Sequence, residues 1–356
     1  MIRKKACMER CSRRTGGMGM NENQPDESGE LTRSSSKTEE FLPPPLLKHP
    51  TLQTLLGGSK LRKLGKNPML SAAREVILET DAHVRLLGHY SAHPEAKGVV
   101  ILLSGWLGDS DSPYMISTGR YLYEHGYSVF RLNYRDHGDS HHLNEGLFYA
   151  SHLDEVFDCV SQAACSEKGC PAFLAGFSLG GNFALRIARR CATARIENLQ
   201  HVICVSPLLN PDKSTAAVDR NRLICAYFLK KWRKSLLRKQ SLFSTTYNFA
   251  GIIKDSIRGT TEELVKQYSI YKDALEYFEG YTVTDDMLRN ISVPTTIITA
   301  EDDPIIPIED FHRLELNHLT RLVIHRYGGH NGFIESFRLN SWYERRMVVL
   351  FDQLVL

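Results

Sequence analysis

Short apolar runs alternate along much of the chain with segments whose apolar residues recur at the spacing of an α-helix. This alternation is typical of a sheet of parallel strands with helices on both faces. We predict strands at 99–103, 128–134, 171–175, 201–205, 295–299 and 322–325, and helices at 115–124, 153–164, 181–190 and 342–354. Two further runs, 73–79 and 84–90, predict an antiparallel hairpin that opens the sheet. The predicted fold class is therefore α/β, with a mostly parallel, doubly wound sheet.

Two parts of the chain depart from this alternation. Residues 207–290 are rich in helical patterns and are inserted between two predicted strands, so they predict a helical cap. Residues 1–40 are polar and aperiodic, which predicts a disordered tail. The expected organisation is a tail at 1–40, a first part of the core at 41–206, the cap at 207–290 and a second part of the core at 291–356.

Composition and charge exclude several broad classes of protein. The 356 residues carry a net charge of only +3, which argues against a dedicated nucleic-acid binder, and 42% hydrophobic residues suffice for a buried sheet. No apolar run approaches the roughly 18–20 residues of a membrane span, and no apolar signal-peptide core follows the first charges. The eight cysteines are scattered without paired ligand spacing, as expected of structural thiols. We therefore predict a cytoplasmic protein.

The sequence Gly176-Phe177-Ser178-Leu179-Gly180 lies between a predicted strand and a predicted helix. Glycines two residues before and after the serine permit a sharp turn, because a β-carbon at either position would collide with the neighbouring strand or helix. Such a turn exposes the serine hydroxyl at the end of the sheet. We predict that Ser178 is the nucleophile of an acyl-transfer reaction.

A candidate acid and a candidate base follow Ser178 at the ends of the last two predicted strands. Three adjacent carboxylates, Glu301, Asp302 and Asp303, end the first of these strands. We favour Asp303 because it stands directly before a proline, where the strand has ended, and Asp302 stays open as the alternative. His330 follows the last strand among small and turn-forming neighbours, on what we expect to be an open loop. His330 would then take the proton of Ser178, and the acid would orient the imidazole and stabilise its cation.

Acyl transfer also needs hydrogen-bond donors for the oxyanion that forms during the reaction. We predict the backbone N–H of Leu179, the residue after the nucleophile, as one donor. The second donor is expected to be the backbone N–H of Trp106, in the loop that follows the strand at 99–103.

Several motifs together resemble the YheT-like branch of the α/β-hydrolases, over roughly residues 45–356. Besides the order serine, acid, histidine, they are His49-Pro50-Thr51-Leu52-Gln53-Thr54, Ser112-Pro113-Tyr114, the segment from Phe130 to Ser140, Ser206-Pro207-Leu208-Leu209-Asn210-Pro211 and Glu301-Asp302-Asp303-Pro304. The resemblance implies an α/β-hydrolase core that hydrolyses carboxylic esters, with lipid esters a frequent suggestion.

Three histidines near the expected site, His137, His141 and His142, raise the question of a metal ion. The serine mechanism needs no metal, and the spacing of these histidines matches no ligand signature. We interpret them as loop or pocket residues and predict neither a cofactor nor a metal.

The segment from Arg220 to Lys239 has many basic and no acidic side chains, and its apolar residues recur at helical spacing. It predicts a basic amphipathic helix in the cap. In one interpretation, its apolar face packs on the core while the charges are solvated. In the other, it binds an anionic membrane surface or acidic lipid head groups.

The sequence thus predicts a serine hydrolase that cleaves short-chain or lipid-type carboxylic esters through Ser178, His330 and Asp303. One alternative is a thioesterase, amidase or peptidase that uses the same triad. Another is a hydrolase-fold protein that binds a ligand or partner without turnover. The expected partner is a small-molecule or lipid ester and not a nucleic acid.

Overall fold

The computed structural model describes residues 40–355. Its strands are β1 (Ala73–Glu79), β2 (Arg85–Ser91), β3 (Val99–Leu103), β4 (Ser128–Leu132), β5 (Ala172–Phe177), β6 (Leu199–Val205), β7 (Thr295–Ala300) and β8 (Thr320–His325). They form one sheet in the order β1-β2-β4-β3-β5-β6-β7-β8. The first two pairs in this order are antiparallel and the other five are parallel. The predicted α/β class with a mostly parallel sheet is confirmed.

Helices cover both faces of this sheet. They are α1 (Pro50–Gly57), α2 (Pro68–Ser71), α3 (Pro113–Glu124), α4 (Leu153–Ala164), α5 (Leu179–Arg190), α6 (Pro211–Arg220), α7 (Arg222–Leu242), α8 (Ile257–Tyr268), α9 (Ala274–Glu279), α10 (Ile308–His312) and α11 (Trp342–Asp352), with short 3₁₀ turns at Pro45–Leu47, Lys60–Lys63 and Asp285–Leu288. Helices α4 and α5 pack on one face, and α3 and α11 pack on the other. The sheet is therefore doubly wound.

The central strands are buried on both faces, as their uninterrupted apolar sequences require. In β3, Val99, Ile101 and Leu103 belong to one hydrophobic core, and Val100 and Leu102 belong to the other. Because the strands β3 to β8 all run in the same direction, their carboxyl ends lie along one edge of the sheet. Open α/β sheets bind ligands at this edge.

Helices α6 to α9 are inserted between β6 and β7, so the cap is helical as expected. The predicted limits of the basic helix are wrong, because Arg220 ends α6 and α7 begins at Arg222. Asn221 separates the two helices with an extended backbone, and its side-chain oxygen accepts the N–H of Ile224 at 3.2 Å. An asparagine that caps a new helix in this way ends the preceding one.

Three predictions are not tested by this architecture. The tail predicted at 1–40 lies outside the described residues, apart from residue 40. The domain limits and the cytoplasmic location also stay predictions. Within residues 40–355, no helix is both long and apolar enough to cross a membrane.

Candidate active site

The turn that carries Ser178 has a strained backbone. Ser178 adopts φ 54° and ψ −114°, a conformation that is costly for any residue with a β-carbon. A β-carbon on Gly176 would lie 2.1 Å from the carbonyl oxygen of Gly180, and one on Gly180 would lie 2.2 Å from that of Leu103. Both glycines are therefore required, because the turn approaches its own backbone and the end of β3 too closely for any side chain.

Asp303 and His330 form a buried pair just after β7 and β8. The carboxylate oxygen Oδ2 of Asp303 lies 2.9 Å from Nδ1 of His330, and the Asp303 side chain is fully buried. Its other oxygen, Oδ1, accepts the backbone N–H groups of Ile305 at 2.8 Å and Ile306 at 3.0 Å. These two bonds fix the carboxylate with one oxygen directed at the imidazole.

Asp302, the alternative acid, binds a different group. Its Oδ1 accepts the backbone N–H of Gly329 at 2.8 Å, one residue before His330. Burial raises the pKa of Asp302 above its usual range, and Glu301 is exposed. Within the described part of the chain, Asp303 is the member of this acidic trio that contacts the His330 ring.

The loop that carries His330 is not open, and this prediction is wrong. His330 is only 9% exposed. A β-carbon on Gly332 would lie 2.4 Å from the carbonyl oxygen of Gln53 in α1, and one on Gly329 would lie 2.4 Å from that of Pro50. The small residues around His330 thus permit close packing against α1, whereas the sequence alone suggested exposure.

Side chains from two other segments hold the loop after β3. The hydroxyl of Tyr114 accepts the N–H of the glycine before Trp106 at 2.9 Å. Nε2 of His137 accepts the N–H of Leu107 at 3.1 Å, while its Nδ1 donates to the carbonyl oxygen of Arg135 at 2.7 Å. Burial lowers the pKa of His137 to about 4, which keeps the ring neutral and able to accept this bond. Sequence reasoning missed this role, although the position of His137 just after β4, next to β3, was a usable signal.

A cavity of about 270 Å³ is lined by Ser178, His330 and the two residues predicted to donate to the oxyanion, Leu179 and Trp106. Because Leu179 is the first residue of α5, its N–H has no acceptor within the helix. The structure therefore brings the predicted site residues together, with Asp303 behind the imidazole. Their roles stay predictions.

Aromatic side chains of the cap line this cavity and contact Trp106 in the loop after β3. The Trp106 ring stacks on Phe228 of α7 with centroids 5.6 Å apart, and it meets Trp232 of the same helix edge-on at 5.0 Å. Further apolar lining residues include Leu147, Phe148, Ile257, Leu264, Val265, Phe278 and Ile305. A molecule that reaches Ser178 is thus surrounded mainly by hydrocarbon surface.

The side chains of α7 are not divided as the first interpretation of this helix assumes. Lys239 is only 1% exposed, and its ammonium lies 2.8 Å from Oδ1 of Asp136. It also donates to three backbone carbonyl oxygens of the loop after β4. Conversely, Leu223 and Tyr227, which belong to the apolar residues at helical spacing, are 85% and 58% exposed. The buried stripe of α7 therefore includes a lysine, and its outer face carries both apolar and basic residues.

The histidines after β4 make contacts within the fold. Besides the bond between His137 and Leu107, Nε2 of His141 lies 2.8 Å from the hydroxyl of Ser235 in α7. Among residues 40–355, no group of three or more His, Cys, Asp or Glu side chains could hold a metal ion. The absence of a cofactor stays a prediction.

Comparisons with known proteins agree with this fold. A family model described as serine aminopeptidase, S33, matches residues 94–335. Mouse phospholipase ABHD3 is 23% identical over 69% of this chain and 61% of its own length, so this chain spans about three fifths of that relative. The putative esterase YheT of Escherichia coli is 22% identical over 72% of this chain and 77% of its own length.

The solved structure of esterase Pf2001 from Pyrococcus furiosus has a similar fold. It superimposes with a TM-score of 0.54 at 18% identity and covers 82% of this chain and 96% of that one. At this identity the likeness establishes the fold alone. Because the matching family model spans more than half of the chain, the protein belongs to the family described as serine aminopeptidase, S33, within the α/β-hydrolase superfamily.

Proposed function

We propose that this hydrolase cleaves carboxylic esters, with Ser178 as the nucleophile, His330 as the base and Asp303 as the acid that orients the base. The observation that carries the proposal is the 2.9 Å contact between Asp303 and His330, in the same region as the strained serine turn. The similarity to the putative esterase YheT of Escherichia coli supports the same chemistry.

In the proposed reaction, Oγ of Ser178 attacks the ester carbonyl carbon while Nε2 of His330 removes the hydroxyl proton. The carbonyl electron pair moves to oxygen, and the backbone N–H groups of Leu179 and Trp106 stabilise the resulting oxyanion. The bond from carbon to the leaving alkoxide then breaks, and His330 returns the proton to that alkoxide. A water molecule, deprotonated by the same histidine, hydrolyses the acyl-enzyme and regenerates Ser178.

The lining of the cavity favours a lipid-type ester over a peptide. Its apolar wall stabilises acyl chains by about 0.8 kcal/mol for each buried methylene, so kcat/KM should rise with chain length until the cavity is filled. Asp136 is the one acidic residue among the described residues that line the cavity, and the ammonium group of Lys239 already pairs with its carboxylate. The α-ammonium group of a peptide's free N-terminus would be a buried charge without a partner there, because the described lining residues offer no unpaired carboxylate.

The test uses a fluorophosphonate probe and p-nitrophenyl esters from acetate to palmitate. We expect the probe to label wild-type protein, and we expect Ser178→Ala to lose labelling and ester hydrolysis at an unchanged melting temperature. Ser241→Ala, on an exposed position of α7, serves as the control and should keep both. Labelling that persists in Ser178→Ala would contradict the proposal.

The same experiment separates the alternatives. A hydrolase-fold protein that only binds a ligand would not react with the probe, because the probe requires an activated serine. A thioesterase, amidase or peptidase would be labelled but would prefer acyl-CoA, anilide or peptide substrates over matched esters. We expect the oxygen ester to be cleaved fastest.

We further propose that the outer face of α7 binds the surface of an anionic bilayer. Leu223 is exposed there, together with Lys230, Arg233 and Lys234, and α7 has no acidic residue. Tyr227 is also exposed, although it lines the cavity as well. This combination of apolar and basic side chains suits the boundary between lipid head groups and acyl chains. Because the inner face of α7 lines the cavity, a bound bilayer would lie beside the catalytic site.

Flotation with phosphatidylserine-containing liposomes tests this proposal. Changing Lys230, Arg233 and Lys234 to Gln should weaken binding by about 1 kcal/mol per residue, while kcat on a short soluble ester stays unchanged. The matched control changes three exposed basic residues elsewhere to Gln, namely Lys168, Arg189 and Arg195. Equal loss of binding in both variants, or no flotation of wild-type protein at low ionic strength, would refute the proposal.

A further inference from the structure

Helix α1, the first α-helix of the described chain, lies directly against the loop that carries His330. The hydroxyl oxygen of Thr54 accepts the backbone N–H of His330 at 2.9 Å. The same hydroxyl donates to the carbonyl oxygen of Pro50 at 2.9 Å, so its acceptor lone pair stays directed at His330. The backbone N–H of His330 is thus held by the side chain of Thr54, which lies 276 residues earlier in the chain.

The neighbouring residue, Gln53, holds the far end of the same loop. Its side chain is fully buried, and its Oε1 accepts the N–H of Ile334 at 2.7 Å. Its Nε2 donates to the carbonyl oxygens of Leu47 at 2.7 Å and Ile334 at 3.2 Å. Both polar atoms of the Gln53 amide are therefore hydrogen-bonded, and together they link Ile334 of the loop to Leu47 in the segment before α1.

The loop is shaped to receive this helix. Gly329, with φ +53°, approaches Pro50, and Gly332 approaches Gln53, at distances that exclude a β-carbon. A β-carbon on Gly57 at the end of α1 would lie 3.0 Å from the carbonyl oxygen of Asn331. Contacts thus continue along α1 from its first turn to its last residue.

We propose that α1 is a positioning element for the catalytic histidine, with Thr54 and Gln53 as its positioning residues. The proposal rests on the function proposed above, in which His330 is the base. Neither residue touches the reacting atoms. Thr54 fixes the His330 backbone and Asp302 fixes the preceding amide, so that the ring can meet Asp303 and Ser178 together.

The expected size of the effect follows from the precision that proton transfer requires. A misplacement of about 1 Å costs on the order of 10²-fold in rate. Thr54→Val keeps the shape of the side chain but removes the acceptor, so the His330 N–H loses its partner and the loop can shift. We expect kcat to fall by about 10- to 100-fold while KM changes by less than about threefold.

Three variants on α1 test the proposal. Thr54→Val should show the selective loss of kcat, and Thr54→Ser, which restores the hydroxyl, should recover kcat to within about threefold of wild type. Thr51→Val, a matched change at an exposed position of the same helix, should leave kcat and KM unaltered. Thr54→Ala removes the same acceptor without branching and replaces Thr54→Val if that protein does not fold. An equal loss of kcat in Thr54→Val and Thr54→Ser, or wild-type kinetics in Thr54→Val, would overturn the proposal.

A readout without catalysis separates this proposal from the proposed function. Amide hydrogen exchange of the peptide that contains His330 should be faster in Thr54→Val than in wild type, Thr54→Ser or Thr51→Val. Unchanged exchange would overturn the positioning role even if the enzyme is active. If wild-type protein does not react with the fluorophosphonate probe, the proposed function fails, and hydrogen exchange still decides whether Thr54 holds the loop.

Discussion

Exchanging the two adjacent aspartates for asparagine, one at a time, tests the proposed triad most sharply. In Asp303→Asn, the amide oxygen can still accept the N–H groups of Ile305 and Ile306, as Oδ1 of Asp303 does now. The amide nitrogen then faces Nδ1 of His330, where the carboxylate oxygen lies at 2.9 Å. Because an amide N–H₂ only donates, the imidazole must carry its proton on Nε2, the atom that has to accept the proton of Ser178.

The magnitude follows from this change of tautomer and from the lost charge that stabilises the imidazolium. We expect kcat to fall by about 10³- to 10⁴-fold, or roughly 4–5.5 kcal/mol in the barrier at 1.36 kcal/mol per tenfold. Asp302→Asn keeps an oxygen acceptor for the N–H of Gly329 and exchanges a charge-assisted hydrogen bond for a neutral one. That exchange is worth about 1 kcal/mol, so we expect a loss of about tenfold or less.

The assay is the kcat for p-nitrophenyl butyrate, with melting temperatures to show that both variants fold. Asp303→Asn should also slow fluorophosphonate labelling in proportion to kcat. Combining Asp303→Asn with His330→Ala should be little worse than His330→Ala alone, because triad members act as a unit. The reverse ranking of the two asparagine variants would make Asp302 the triad acid, and small losses in both would refute an orienting carboxylate.

Two further predictions concern stability. Lys239→Met should lower the free energy of unfolding in urea by about 3–5 kcal/mol, because it leaves buried Asp136 without its cation. The control Lys234→Met, at an exposed position of α7, should change that free energy by less than about 0.5 kcal/mol. Equal effects of the two variants would contradict the role of the buried pair. Burial lowers the pKa of His201 to about 4, below the unfolded value of about 6.5, so the unfolded chain binds more protons between these pH values. Stability should therefore be lost as pH falls from about 6.5 towards 4, at up to about 1.4 kcal/mol per pH unit for this group. Burial also lowers the pKa of His137, His141 and His152 to about 4, so His201→Gln should reduce the slope of that dependence without abolishing it. The exposed His83→Gln should leave the slope unchanged, and parallel curves for both variants would refute the assignment.

Much of the fold could be predicted because the central strands are buried on both faces. An uninterrupted apolar run as short as 99–103 favours a buried strand over other secondary structures. The observed strand β3 has the same limits as the predicted one. The strand-to-helix turn at Ser178 was also predictable, since its glycines are required by local backbone clashes. Local chemistry was less informative at Asn221, where one capping residue divides a basic segment that reads as a single helix.

Contacts between residues far apart in the chain became visible in the folded structure alone. The order of residues along the chain was enough to predict the class of fold, the turn at Ser178 and a few candidate acids and bases for Ser178. The sequence favoured Asp303 but left Asp302 open, because the direction of each side chain depends on which backbone amides the folded chain brings to it. It also misjudged His330, because glycines that permit an open loop equally permit close packing, and only the position of α1 selects between the two. The buried charge of Lys239 was likewise hidden, since its partner Asp136 lies 103 residues earlier and is brought near only when the cap folds over the sheet.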